Sequence, residues 1–238
     1  MSDPNSYSPS WFEFFHVSIA EERTRREVEF VSGVAPLPGF RKVLDVCCGS
    51  GRHARALAAR GYFVTGIDRD LAAVAKAREL GGGPEYLRVD ARDYEPPRAA
   101  FDLAIIMSQS FGYFDAAANR EQLRRLSEGV RVGGRIILDL WNPEFFASHQ
   151  GERELTTPAG AVRETKAIKD NRLLVRLTYP NRTEEQFDFQ LFSSAEMKVL
   201  ANHLGLQLAV ACTAYDSARE PDPTDAKIQF VLAKLQVI

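Results

Sequence analysis

A chain of 238 residues, 45% hydrophobic and with a formal net charge of −2, carries enough apolar mass for one α/β domain with an insertion. The balanced charge, with no block of like-charged residues, leaves no electrostatic footprint for nucleic acid or an anionic membrane, so the expected partner is a small molecule. Three cysteines, two of them adjacent, exclude a disulfide framework, the four histidines lack metal-ligand spacing, and no apolar run is long enough to span a bilayer, all of which suits a reducing cytoplasm.

In chain order, a polar start leads into Trp11-Phe12-Glu13-Phe14-Phe15-His16, an aromatic arm, and then a helical stretch from about Ile19 to Ser32. Two readings of the arm stay open: its rings pack on the domain, or they form a lid over a ligand. Val43 to Val46 is a β-prone apolar run that enters the small-residue turn Cys47-Cys48-Gly49-Ser50-Gly51, and an alanine-rich helix follows from Arg52 to Arg60. A strand, a glycine turn and a helix N-terminus bring backbone N–H groups to one place, a seat for something polar or anionic.

The spacing Gly49-x-Gly51-x-x-Ala54 also fits the loose dinucleotide fingerprint, with Asp68 as ribose partner. Asp45 shifts the balance, because a carboxylate just ahead of the turn repels a pyrophosphate and attracts a ligand bearing an ammonium and a sulfonium. These residues resemble motif I of the class I S-adenosylmethionine-dependent methyltransferases. Cys47 stands where that family often has its first glycine, and a cysteine adopts positive φ less cheaply.

Tyr62 to Asp68 reads as a second strand ending in a carboxylate, and Asp70 caps a helix through Leu80. The strand Glu85 to Val89 closes on Asp90-Ala91, and Phe101 to Met107 is a fourth strand that opens into the loop Ser108-Gln109-Ser110-Phe111-Gly112-Tyr113-Phe114. Ligands of open α/β sheets sit outside the carboxyl ends of the strands, so this loop faces the first one. Similar Ser-Phe-Gly-Tyr-Phe loops occur in bacterial small-molecule methyltransferases. Asn119 to Val130 is an amphipathic helix, Arg131-Val132-Gly133-Gly134 a turn, and Arg135 to Trp141 a fifth strand.

The resemblance implies a cofactor set. Asp68 accepts from the ribose hydroxyls, while Asp90 and the Ala91 N–H read adenine. Asp45, Cys47, Gly49, Gly51, Arg52, Arg69, Met107 and Ser108 complete the seat, with Tyr7 and Trp11 from the arm above it. Acceptor contacts are expected from Phe15, Ser110, Phe111, Trp141, Asn142, Phe145, Arg163 and Tyr179. No base is obligatory for methyl transfer, but His149, His16 and Tyr113 are the candidates to take a proton.

Past residue 150 the composition turns β-prone. Val162 to Ile168 and Arg172 to Tyr179 form a hairpin about Lys169-Asp170-Asn171, and Phe187 to Phe192 adds a third strand. This insertion is read as an acceptor cap, or alternatively as the surface of a homodimer. Ser193 opens a capping-box helix to about His203, and Leu206 to Ala214 and Lys227 to Leu235 are closing strands, joined without a helix and hence antiparallel.

The expected architecture is a doubly wound, seven-stranded, mostly parallel Rossmann-like sheet with an antiparallel C-terminal edge and a small β insertion. Its parts are an arm (1–33), a cofactor core (34–142), an inserted cap (143–192) and a closing segment (193–238). The expected activity is methyl transfer from S-adenosylmethionine to oxygen or nitrogen of a small acceptor, leaving S-adenosylhomocysteine. The alternatives are an NAD(P)-dependent oxidoreductase built on the same loop and a non-catalytic S-adenosylmethionine-binding protein.

Overall fold

The computed structural model describes residues 8–16 and 19–236, the side chains at 9, 12 and 16 excepted. Seven strands form the main sheet: β1 (Lys42–Val46), β2 (Phe63–Asp68), β3 (Glu85–Arg88), β4 (Phe101–Ile106), β5 (Val130–Trp141), β10 (Leu206–Cys212) and β11 (Lys227–Lys234). Their spatial order is β10-β11-β5-β4-β1-β2-β3. The five strands from β5 to β3 run parallel, while β11 pairs antiparallel with both β5 and β10. The last strand in the chain therefore slots inside the edge, and β10 closes it.

Strand alternation divides the core into two layers. In β4, Leu103 and Ile105 join a cluster with Val28 and Val31 of α2 (Glu21–Val34), Leu57 of α3 (Arg52–Ala58) and Val74 of α4 (Leu71–Leu80). Ala104 and Ile106 face the opposite way, toward Leu123 and Leu126 of α5 (Ala116–Gly129) and Met197 of α7 (Ser194–His203). Sequence chemistry sets the helix ends: Asp70 accepts from the Ala73 N–H at 2.8 Å, and Ser193 with Glu196 forms the reciprocal capping box.

The insertion is a separate antiparallel sheet, ordered β6 (Gly151–Thr157), β7 (Gly160–Lys169), β8 (Arg172–Thr178) and β9 (Glu184–Gln190). Asp170 and Asn171 both take positive φ, the conformation that a two-residue hairpin turn needs to match strand twist. One face of this sheet is apolar, with Val162, Leu173, Val175, Leu177, Phe187 and Phe189 in a third cluster that also holds Phe14 and Phe146.

One local expectation is corrected. The segment Arg131–Gly134 is the start of β5 rather than a free turn. The β4–β5 register shifts there, and Gly134 lies so near the Asp102 carbonyl oxygen that a Cβ would come within 2.9 Å of it. Strand β6 and helix α6 (Pro143–Ser148) were not expected. β6 is an edge strand with a polar, largely exposed sequence and so lacks the alternation that marks a half-buried strand.

Candidate functional site

The turn after β1 holds three residues in the left-handed region: Cys47 (φ 58°), Gly49 (φ 54°) and Gly51 (φ 76°). Cys47 thus takes the strained conformation at the place of the family's first glycine, at a cost of about 1–2 kcal/mol. At Gly51 a side chain would also run into the Tyr86 ring, whose Cε1 would lie 2.7 Å from a Cβ. Asp68 ties this turn to the next strand end, accepting from the Gly49 N–H at 2.8 Å and the Asp70 N–H at 2.9 Å. Burial raises the Asp68 carboxyl above its ordinary value, opposed by those two donors.

Asp45, at 1% exposure, is the other carboxylate of the seat, and its Oδ2 finds no hydrogen-bond partner among the described residues. Burial pushes its pKa up to about 7 against the pull of Arg52. A buried, partnerless carboxylate oxygen is costly unless a ligand supplies a donor. Asp90 is held below the usual carboxylate range by Arg92, whose guanidinium donates at 2.7 Å, and Arg69 lies at 3.8 Å.

Asp45, Asp68 and Asp90, with Cys47, Gly49 and Arg69, border one cavity of about 1050 Å³. Its floor is the strand ends, with Asp45, Cys47, Gly49 and Arg52, then Asp68 and Arg69, Asp90 and Ala91, and Met107, Ser108, Ser110 and Tyr113 after β4. Trp141 closes the floor at the end of β5, and Trp11 and Phe15 contribute rings from the arm. The roof is the inner face of the inserted sheet, including Glu164, Lys166, Val175, Leu177, Phe187 and Phe189. Phe14 of the arm packs at 5.2 Å on Tyr179, and the Ser8 N–H donates to Glu185 at 2.7 Å, so the arm is docked on the insertion.

Several candidates lie elsewhere. Gly51 shapes the turn without bordering the cavity. His149 is exposed at the end of α6, stacked on Phe145 at 3.8 Å with its Nδ1 2.8 Å from the Phe145 carbonyl oxygen, and it does not border the cavity. Phe145 packs edge-on against Phe146 at 5.0 Å and serves the same local cluster. Asn142 caps α6 and donates to the Asp222 and Asp225 carbonyls, both at 2.9 Å, which makes it a clamp on the loop before β11. Phe111 is buried against Phe192 at 5.3 Å and anchors its loop. Tyr179 is buried and bonds Glu185, giving the arm its platform. Arg163 is exposed beside Glu152, because its neighbours Val162 and Glu164 point inward and a strand alternates. Tyr7 and the His16 side chain lie outside the described residues.

Sequence reasoning missed a buried polar network beneath the floor. Glu27, fully buried, accepts from Arg52, from His53 at 2.8 Å and from Arg23 at 2.9 Å. Burial would raise this carboxyl, but its bonds to His53 and Arg52 outweigh that and hold it below the ordinary range, while burial pushes the His53 imidazole below its ordinary value against the pull of Glu27. Tyr215 bridges Glu27 and Asp139, its hydroxyl 3.1 Å from each. Asp139 in turn accepts from the Ser108 N–H at 3.0 Å and from Lys227 at 2.6 Å. The available signal was a carboxylate inside the apolar run Ile136 to Leu140. Among the described residues no group of His, Cys, Asp or Glu could hold a metal ion, and no helix is long and apolar enough to cross a membrane.

A methyltransferase domain model matches residues 43–134. The chain is 28% identical over 251 residues to a cypemycin N-terminal methyltransferase of a Streptomyces species, covering 99% of each protein. An S-adenosylmethionine-dependent methyltransferase of Clostridium acetobutylicum superposes with a TM-score of 0.78 at 14% identity, over 95% of this chain and 97% of that one. An amino pentose methyltransferase of Micromonospora echinaspora, solved with S-adenosylmethionine bound, gives 0.72 at 17% identity, over 98% and 99%.

Proposed function

Since the chain belongs to the class I S-adenosylmethionine-dependent methyltransferases, we propose that it methylates an oxygen or nitrogen of a small molecule seated between the strand ends and the inserted sheet. The observation that carries this reading is continuity: Asp45, Asp68 and Asp90 at one end and Val175 and Phe189 at the other border the same space of about 1050 Å³. That size accommodates small ligands. The names of the relatives, an N-terminal and an amino pentose methyltransferase, support acceptors of this kind.

The residues fit the cofactor. The orphaned Asp45 oxygen would take the cofactor's ammonium, Asp68 has lone pairs left for ribose hydroxyls, and Asp90 with the Ala91 N–H would meet adenine. When bound, S-adenosylmethionine supplies an electrophilic methyl group and leaves as S-adenosylhomocysteine.

The protein's own share is alignment and the exclusion of water. Trp11, Phe15, Phe187 and Phe189 wall the chamber with apolar rings. Of the groups expected to take a proton, we retain Tyr113, which borders the cavity with its ring 5.0 Å from Phe189, and assign no step to His149, which does not border it. The test is a radiolabelled methyl-transfer screen over a metabolite library, paired with calorimetric titration of S-adenosylmethionine and NADH. The expected result is binding of S-adenosylmethionine alone and label on a small acceptor. Binding of NADH instead, or cofactor binding with no transfer to any member, would overturn the assignment.

A further inference from the structure

The two ends of the cavity differ in charge. Around the cofactor seat, Asp45, Asp68, Asp70 and Asp90 outnumber Arg52 and Arg69. At the other end the order reverses: Arg153, Lys166 and Lys227 border the cavity with Glu164, and Asp139 lies buried behind Lys227. Glu164 is shared by two cations, with Lys166 at 2.8 Å and Arg153 at 2.5 Å, so its charge is already spent.

The lysines come from different elements, Lys166 from β7 in the roof and Lys227 from the first position of β11 in the floor, yet they converge on one ring. Their Nζ atoms lie 5.3 and 5.8 Å from the Trp141 centroid. Each has one carboxylate partner, and Gln109, with its amide turned so that oxygen faces Lys227, accepts a second hydrogen bond from that ammonium. An ammonium has three donors, so both lysines keep hydrogen-bonding capacity. Burial lowers both from their ordinary values, opposed by Glu164 at Lys166 and by Asp139 at Lys227.

We infer that the acceptor is a carboxylate-bearing molecule, its carboxylate held between Lys166 and Lys227 beside the Trp141 ring. This rests on the methyltransferase reading above. A carboxylate has two oxygens and can accept from both ammonium groups at once, which suits two lysines that each keep a free donor. The apolar residues around it, Val175, Leu177, Phe187 and Phe189, call for a hydrophobic body on the same molecule.

The probes are phenylpropanoate, phenylbutanoate and indole acetate, each against its primary amide, titrated into protein saturated with S-adenosylhomocysteine. Loss of a charge-assisted hydrogen bond predicts that acids bind about tenfold or more tighter than amides. Lys166→Gln should erase that preference, Lys166→Arg should restore part of it, and Glu164→Gln should strengthen it. S-adenosylhomocysteine affinity, measured in the same variants, should stay at the parental value and report an intact cofactor end. The inference is overturned if amides bind as well as acids, if neither class binds, or if Lys166→Gln keeps the preference. Failure of the parent protein to bind S-adenosylhomocysteine would instead strike at the methyltransferase reading.

Discussion

The floor and roof of the cavity are built by different rules. The cofactor end of the floor sits at the carboxyl ends of parallel strands and in the turns that follow them, where backbone geometry dictates each place: Asp68 is fixed by donors from Gly49 and Asp70, and Asp45 by its position in β1. Roof residues sit mid-strand in an antiparallel sheet, where only parity decides whether a side chain meets the cavity or solvent. Glu164 and Lys166 face in, and Arg163 between them faces out. A floor of this kind is rigid and suited to one cofactor, whereas a roof can change its acceptor by exchanging alternate side chains on an unchanged backbone.

The sharpest way to break this contrast is at the stiffest floor position. Gly51→Ala combines a left-handed backbone with a clash against Tyr86, so urea unfolding should show a loss of about 2–5 kcal/mol. A loss no larger than that of a surface substitution would mean that the turn yields. Next, Asp68→Ala should weaken S-adenosylmethionine binding by about 2–3 kcal/mol in calorimetry, since a charge-assisted pair of hydrogen bonds disappears. Parental affinity in that variant would remove Asp68 from the cofactor seat.

Asp45 gives a pH-dependent test of the same floor. Its folded pKa, about 7, lies above the ordinary carboxylate value, so the free protein is most stable with this carboxyl neutral. That contribution is full below the unfolded value and is lost as pH rises through about 7. A cationic ligand prefers the ionised form, so cofactor affinity should rise with pH below that point by up to about tenfold per unit, and Asp45→Asn should flatten both curves. A pH-independent affinity in the parent would separate Asp45 from the ammonium.

The smallest effects are expected where side chains leave the cavity. Arg163→Ala should change stability by less than about 0.5 kcal/mol, because its partner Glu152 is exposed too. His149→Gln should leave single-turnover methyl transfer and its pH profile unchanged. A slowed rate in either variant would place that residue at the acceptor after all, in a conformation other than the one described.

Much of the floor was legible because its signals are local. The run Val43 to Ala54 announces strand, turn and helix within one short window, and Asp70 declares the helix start after the second strand; equally local signals outside the floor are the Ser193 cap and the Asp170-Asn171 hairpin of the roof. The roof was only half legible. Val162 and Arg163 are adjacent, so an inward Val162 already sends Arg163 outward, a parity that the β-prone composition alone conceals. His149 follows strand five on the ligand side in sequence, but the short helix α6 intervenes and turns it onto Phe145.

What the sequence by itself determined is the alternation of strands and helices and the carboxylates at the strand ends, because hydrophobic period and turn chemistry act over a few residues and need no distant partner. Tertiary structure alone decided the rest. It placed β11 between β5 and β10, joined Glu27 to Arg52 and Asp139 to Lys227, and brought Lys166 from the roof over the Trp141 ring of the floor. Asp139 and Lys227 are far apart in the chain, and they meet because buried charges must be paired and the β5–β11 register puts them within reach.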